Sequence, residues 1–186
     1  GKYGVHHQDC ADCSVGMYRH VSGLSGTNVS ACTACEAGRY QNEPGQSACI
    51  DCIPGLFQNS SGMSSCSKCQ PGSVQKDPGS TNCTNCPAGR HQGNPGQTIC
   101  LNCLPGKYQS QNRQTVCVNC AANEFTDETI TTKATCTMCP TGFSTDDNNG
   151  SATCSPCASG KYGVHHQDCA DCSVGRYRRV SGLSGT

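Results

Sequence analysis

The chain has 186 residues, of which 20 are cysteine, and its charges balance at 13 basic and 13 acidic residues. Cysteine at this level indicates a disulfide scaffold, because only 22 Leu, Ile, Val and Phe residues remain to build an apolar core. The balanced charge gives no excess of basic residues for binding nucleic acid. No apolar run approaches the roughly 20 residues of a membrane span. The abundant cysteine favours an oxidising, extracellular or cell-surface setting.

Ten Cys-x-x-Cys pairs organise the chain, and each pair opens a unit. Residues 1–9 are expected to be the end of a truncated unit, and residues 169–186 the start of another. Between them lie nine complete units, at 10–31, 32–48, 49–65, 66–82, 83–99, 100–116, 117–135, 136–153 and 154–168. Steps of about 17 residues predict a tandem array of small modules in which each module contacts mainly its neighbours.

Three further positions recur in each unit. Glycine stands three residues after the second cysteine, except at Asn123; asparagine tolerates the left-handed backbone region, so we expect a positive φ in every unit. An aromatic residue such as Tyr40 or Phe57 follows two positions later in most units, and we expect it to form a miniature core. A second glycine, as at Gly45 and Gly62, often lies four residues before the next pair and predicts a turn.

A longer repeat is superimposed on the short one. Residues 1–27 and 160–186 are identical at 25 of 27 positions. Their offset of 159 residues equals nine units, so residues 10–168 form one super-repeat. We expect the chain to be a window of a longer protein in which this block recurs.

The motif C-x-x-G-x-[YF]-x(8)-C, which runs from Cys35 through Gly38 and Tyr40 to Cys49, carries a family resemblance. It resembles the single-disulfide module of tumour-necrosis-factor-receptor cysteine-rich domains. It is closer to the ephrin-receptor-like repeats of long extracellular proteins, including surface and flagellar-hair (mastigoneme-like) proteins of protists. The resemblance implies an elongated rod or solenoid of small modules with short β or irregular structure and almost no helix. The crossed two-disulfide module of the receptor domains is missing, which disfavours receptor-style ligand capture.

The resemblance also implies the disulfide pairing, in which the second cysteine of one pair bonds the first cysteine of the next. The implied bonds are Cys13–Cys32, Cys35–Cys49, Cys52–Cys66, Cys69–Cys83, Cys86–Cys100, Cys103–Cys117, Cys120–Cys136, Cys139–Cys154 and Cys157–Cys169. Cys10 and Cys172 are left over, and their partners are expected outside residues 1–186. Crossed pairing between successive pairs is the alternative, because connectivity does not follow from sequence.

Zinc and redox chemistry are the other functions of Cys-x-x-Cys pairs. Thiolates on two pairs can complete a tetrahedral zinc site, but ten pairs would then make five zinc sites in a row, which disfavours zinc. A redox pair needs an activated thiolate at a helix start, and ten equivalent pairs without such a helix disfavour redox chemistry. Adjacent histidines in an extended segment point to opposite sides, so we interpret the remaining candidates as a polar loop, with a calcium or transition-metal contact between chains as the alternative. These candidates are His6, His7, Asp9 and Asp12, repeated as His165, His166, Asp168 and Asp171.

No residue pattern indicates catalysis. Carboxylates are scattered along the chain and none is paired at a repeating position. No combination of serine, histidine and carboxylate is evident either. We therefore predict a protein that is not an enzyme, with no catalytic residue, no bound metal and no cofactor.

Four N-glycosylation motifs begin at Asn28, Asn59, Asn82 and Asn149. Asn28 and Asn59 lie in long loops between cysteines and are the better candidates. Asn82 adjoins a bridging cysteine and is expected to be the least accessible to modification. Covalent glycans are therefore predicted partners of the chain, whereas O-linked sites cannot be located from sequence.

The near-identical super-repeat favours a structural function. A fibre benefits from the same surface at regular intervals, and heterologous contacts that do not close produce filaments. We expect an extracellular filament, fibril or surface stalk whose partners are other copies of the chain. The alternatives are a receptor or adhesin ectodomain that binds a protein or glycan ligand, with residues 117–153 as the candidate region, and a cysteine-rich protist surface antigen.

Overall fold

Short antiparallel hairpins are the regular structure of the protein. The computed structural model describes residues 12–19, 32–127, 133–163 and 167–174. These residues contain no helix and 18 strands of two residues each. The strands are β1 Met17–Tyr18, β2 Thr33–Ala34, β3 Arg39–Tyr40, β4 Ile50–Asp51, β5 Leu56–Phe57, β6 Ser67–Lys68, β7 Ser73–Val74, β8 Thr84–Asn85, β9 Arg90–His91, β10 Leu101–Asn102, β11 Lys107–Tyr108, β12 Val118–Asn119, β13 Glu124–Phe125, β14 Thr137–Met138, β15 Phe143–Ser144, β16 Ser155–Pro156, β17 Lys161–Tyr162 and β18 Ala170–Asp171.

Consecutive strands pair, and each hairpin is built from two fixed positions of the repeat. The first strand follows the repeat glycine and carries the aromatic position. The second strand is formed by the two residues between the cysteines of the next pair. In the β3–β4 hairpin Tyr40 pairs with Ile50, and the Cys52 amide donates to the Gly38 carbonyl oxygen at 2.9 Å. The first strand of each hairpin follows the repeat glycine, or Asn123 in β13, and the second strand lies between two cysteines, which keeps the hairpins short and separate.

The chain divides into two compact units. The first comprises Gly1–Asn85 and Asn94–Ile99, and the second comprises Cys86–Gly93 and Cys100–Thr186. The described residues of the first unit hold β1–β8, and those of the second hold β9–β18. None of the described residues belongs to a helix that is long and apolar enough to cross a membrane.

Bonded cysteines form the core of both units. Eight cysteines, each the second of its pair, are at most 3% exposed, namely Cys13, Cys35, Cys52, Cys69, Cys86, Cys103, Cys120 and Cys139. The aromatic position is less buried, because Tyr40, Phe57 and Tyr108 are half-buried and Tyr162 is exposed. The rings are therefore not the miniature cores that the sequence suggested. Buried polar side chains accompany the cysteines instead.

The structure confirms a small disulfide-rich repeat array with short β structure. The positive φ predicted at the repeat glycine is also present, at +77° to +87° in Gly16, Gly38, Gly55, Gly72, Gly89, Gly106, Gly142 and Gly160. Asn123, which stands in place of glycine in its unit, also has the predicted positive φ, at +63°. Gly175 lies outside the described residues.

Candidate inter-module interface

Nine disulfides close nine modules in the described part of the chain, and each module is named by its bond. They are Cys13–Cys32, Cys35–Cys49, Cys52–Cys66, Cys69–Cys83, Cys86–Cys100, Cys103–Cys117, Cys120–Cys136, Cys139–Cys154 and Cys157–Cys169. These are the pairs that the family resemblance implies, and none is crossed. Cys172 is half-buried and unbonded, and Cys10 lies outside the described residues. Bonds from these two cysteines to residues outside 1–186 stay predictions.

The repeat glycine contacts the next two modules. In the Cys35–Cys49 module, the Gly38 amide donates to the Gln58 carbonyl oxygen of the following module at 2.7 Å. A Cβ atom added to Gly38 would overlap the Gly79 carbonyl group of the module after that. The same kind of overlap with a turn carbonyl would occur at Gly16, Gly55 and Gly106. Both the positive φ and the close approach of another backbone therefore require glycine here.

The turn glycine forms a bond back to the preceding module. The Gly62 amide donates to the Cys35 carbonyl oxygen at 2.7 Å. Equivalent bonds of 2.7 to 2.9 Å join Gly45 to Cys13, Gly79 to Cys52, Gly96 to Cys69, Arg113 to Cys86 and Gly150 to Cys120. Arg113 replaces glycine at this position and still has φ +62°. Because these bonds join backbone groups, surface side chains can vary without changing them.

A buried glutamine bridges the loop of several modules. Gln58 is 5% exposed; its Nε2 donates to the Ser65 carbonyl oxygen at 2.8 Å, and its Oε1 accepts from the Ser60 amide at 3.1 Å. Glutamine occupies this position in five modules, at Gln41, Gln58, Gln75, Gln92 and Gln109, and all five are buried. The same two bonds form at Gln41, Gln75 and Gln109. One side chain thus satisfies two backbone groups in a loop that has no apolar core.

The backbone of a bridging glutamine connects three modules. The Gln58 carbonyl oxygen accepts from Gly38 in the preceding module, and the Gln58 amide donates to the Ser80 carbonyl oxygen in the following module at 3.1 Å. Sequence reasoning missed this residue. The available signal was a glutamine three positions after the repeat glycine in five successive units, but polar side chains are expected mostly at the surface.

The modules that form this interface match the sequence profile of a known family. The sequence profile described as tyrosine-protein kinase ephrin type A/B receptor-like matches residues 22–65, 45–86, 55–99 and 93–135, which together span more than half of the chain. This chain belongs to the ephrin-receptor-like repeat family. Among curated proteins, none matches the chain. Ephrin-receptor-like repeats are non-catalytic modules, and together with nine disulfides they indicate an extracellular or secreted domain.

In the second unit, side-chain hydrogen bonds replace the usual contacts of the repeat glycine at one position, Asn123. The Asn123 amide donates to Thr145 Oγ1 at 2.8 Å, and the Thr145 amide donates to Asn123 Oδ1 at 3.3 Å. Asn123 Nδ2 also donates to Asp168 Oδ1, two modules further on, at 2.8 Å. We call these three residues the Asn123 cluster. Asn123 and Thr145 are buried, so side chains here make contacts that glycine and carbonyl groups make elsewhere.

Two carboxyl groups meet beside the Asn123 cluster. A hydrogen bond with Asp168, followed by the repulsion of the Asp168 charge, raises the pKa of Asp147 above its ordinary value. The same hydrogen bond, with the one from Asn123, lowers the pKa of Asp168. Asp147 is therefore the carboxyl group of the pair that binds a proton more readily, whereas Asp168 favours the carboxylate form that accepts from Asn123.

The candidate metal ligands are not brought together in the described structure. Asp171 forms an ion pair with Lys161, with 3.3 Å between Nζ and Oδ1, and Asp168 belongs to the Asn123 cluster. Within the described ranges, no group of three or more His, Cys, Asp or Glu residues is placed to hold a metal ion. Asp12 is exposed, and the remaining candidates lie outside the described ranges, namely His6, His7, Asp9, His165 and His166.

Three of the glycosylation motifs are on the surface. Asn59, Asn82 and Asn149 are all exposed, although Asn82 directly precedes the bonded Cys83. Asn28 lies outside the described residues. Modification at these four asparagines stays a prediction.

Proposed function

We propose that the chain is part of an extracellular structural filament, fibril or surface stalk that is built from tandem disulfide modules and carries N-linked glycans. The super-repeat carries this proposal, because residues 1–27 and 160–186 are identical at 25 of 27 positions. A sequence that recurs from one block to the next suits contacts that recur along an axis. Such heterologous contacts produce filaments when they do not close.

The chemistry of the interface supports the proposal. Most modules repeat one set of backbone bonds, as Gly38, Gln58 and Gly62 illustrate. Modules of this kind can be added in tandem without a new interface, and their stabilities add approximately. One disulfide in each module also ties the chain locally, which suits a polymer exposed to an oxidising environment.

A receptor or adhesin ectodomain is the second candidate, and one observation favours it. Residues 117–153 have longer loops than the five preceding modules, whose cysteines are 14 residues apart, and the Asn123 cluster replaces the glycine contact there. A surface that occurs once in a super-repeat could bind one partner protein or glycan. This candidate requires a soluble ligand that binds residues 117–153.

Electron microscopy of native material and of secreted tandem chains distinguishes the two candidates. Chains that hold one, two and three copies of residues 10–168, with disulfides intact, are compared at equal module concentration. We expect fibres whose axial period equals one 159-residue block, and self-association that rises with copy number because linked contacts act together. Chains that stay monomeric at every copy number and bind one soluble protein would overturn the filament.

A further inference from the structure

A cavity of about 300 Å³ opens beside the Cys35–Cys49 disulfide in the first unit. It is lined by Tyr18, Glu36, Arg39, Ser47, Ala48 and Cys49. This volume lies at the lower end of the range for small-molecule sites. The cavity therefore has room for one ring-sized group, and not for an extended peptide.

The small side chain of Ala48, which lines the cavity, leaves space in this module. Ala48 directly precedes the first cysteine of a pair. The same position is occupied by the larger Asn82 before Cys83 and by Val116 before Cys117. A methyl group at Ala48 leaves space that these larger side chains would reduce.

The charged lining is also particular to this module. Glu36 and Arg39 stand one and four residues after Cys35, and the corresponding residues of the next module are the apolar Ile53 and Leu56. The Nε atom of Arg39 donates to Asp51 Oδ1 at 2.6 Å. This bond engages one edge of the guanidinium, which carries five N–H donors.

The lining selects the class of ligand. An anion would meet the carboxylate of Glu36, and a cation would meet the guanidinium of Arg39. A neutral sugar avoids both conflicts, because each hydroxyl can donate to Glu36 and accept from Arg39. The half-buried ring of Tyr18 offers an amphipathic surface for the C–H face of a pyranose. We propose that this cavity binds a single neutral pyranose residue of a glycan.

This inference rests on the proposed function, because an assembled, glycosylated chain would supply the sugar. The same chemistry has two sources. One is a glycan on another copy of the chain, for which Asn59 and Asn149 are exposed candidates. The other is a glycan carried by a different molecule. In either case the ligand atoms that enter the cavity are the same.

Saturation-transfer NMR tests the cavity directly. The secreted chain, with disulfides intact and N-glycans removed enzymatically, is mixed with methyl α-D-mannopyranoside, methyl β-D-glucopyranoside or methyl β-D-galactopyranoside. The test variant is Ala48→Val, because valine is accommodated at the equivalent Val116. The matched control is Ser65→Val, at the same position of the next module.

We expect saturation transfer to the ring protons of at least one glycoside with the unmodified chain and with Ser65→Val. Ala48→Val should weaken this binding tenfold or more and leave the thermal unfolding midpoint unchanged. Absence of transfer with all three glycosides, or equal transfer in Ala48→Val, would overturn the inference. Fibres observed alongside such a result would leave the filament proposal intact.

Sedimentation then identifies the source of the sugar. If glycans of the chain fill the cavity, enzymatic deglycosylation or added glycoside should reduce self-association of the unmodified chain, and Ala48→Val should reduce it equally. If glycoside binds but self-association is unchanged by deglycosylation, the sugar comes from another molecule. Both results support a pyranose site.

Discussion

The glycine contacts of the first unit and the Asn123 cluster of the second unit both join one module to the next, but through different atoms. Gly38 and Asn123 both have positive φ, at +86° and +63°, and both donate their amide to the next module. The acceptor is the Gln58 carbonyl oxygen in one case and the Thr145 hydroxyl in the other. The backbone conformation is therefore the fixed requirement, whereas the bonding partner can change.

The length of the loop two modules further on changes together with the residue at the repeat position. Asn123 reaches into the Cys157–Cys169 module, whose cysteines are 12 residues apart, whereas 14 residues separate the cysteines of the Cys69–Cys83 module that Gly38 approaches. At Gly38 a Cβ would overlap the Gly79 carbonyl. A side chain at the repeat position thus accompanies a shorter loop two modules further on.

The largest effect should come from adding a methyl group at the close approach. Gly38→Ala places a Cβ against the Gly79 carbonyl and forces alanine into a left-handed conformation, so we expect a loss of about 2–5 kcal/mol in the free energy of unfolding. Gly160→Ala is the matched control, because Gly160 has φ +82° but no atom of the described residues lies within 4 Å of the added Cβ. It should lose only about 1–2 kcal/mol. Equal losses in urea unfolding, with disulfides intact, would show that the close approach is unimportant.

A bridging glutamine should have the next largest effect. Gln58→Ala leaves the Ser65 carbonyl oxygen and the Ser60 amide without their partner, and we expect a loss of about 2–3 kcal/mol. Gln97 is an exposed glutamine whose side chain makes one long bond of 3.4 Å. Gln97→Ala should therefore change the free energy of unfolding by less than about 0.5 kcal/mol. The idea of a bridging role fails if the two variants unfold at the same urea concentration.

Removing one hydroxyl group tests the Asn123 cluster. Thr145→Val keeps the side-chain shape but leaves the buried Asn123 amide without its acceptor, so we expect a loss of about 1–3 kcal/mol. Thr137→Val, at an exposed position of β14, should be nearly neutral. Amide exchange at Asn123 measured by NMR should accelerate only in Thr145→Val. Unchanged exchange there would mean that the hydroxyl is not the acceptor.

The smallest effect concerns pH. The raised pKa of Asp147 favours its protonated form in the folded state, so its contribution to stability is present below its unfolded pKa and is lost as pH rises through its folded pKa. Asp168 has the opposite sign, because its pKa is lowered and its contribution is lost as pH falls through its folded pKa.

Carboxyl carbon NMR titration measures this coupling. Asp168→Asn should lower the pKa of Asp147, because the hydrogen bond with the Asp168 carboxylate and then its charge are both removed. The control Asp51→Asn removes a carboxylate that pairs with Arg39 in the other unit, and it should leave the Asp147 titration unchanged. An Asp147 midpoint that is the same in the parent chain and in Asp168→Asn would contradict the coupling.

Sequence spacing predicted the backbone features and failed for the buried polar ones. Glycine is recognised easily because a positive φ excludes most residue types, and Asn123 was predicted to adopt the same φ for that reason. Gln58 was missed because its burial depends on bonds that the folded loop supplies. Thr145 was missed for the same reason. Asp168 was interpreted as part of a polar loop, with a metal contact between chains as the alternative. Its bond to Asn123 was missed because the two residues are 45 positions apart, a separation that no local pattern reveals.

The central claim is that backbone hydrogen bonds at the repeat and turn glycines join successive modules. Native-state hydrogen exchange of the intact chain tests it most directly, because the amides of Gly38, Gly55, Gly62 and Gly79 should all be protected by their bonds to neighbouring modules. We predict exchange at least a hundredfold slower at these four amides than in a fully exposed peptide of the same sequence. Exchange at the rate of the exposed peptide would show that the modules are linked only through the covalent chain.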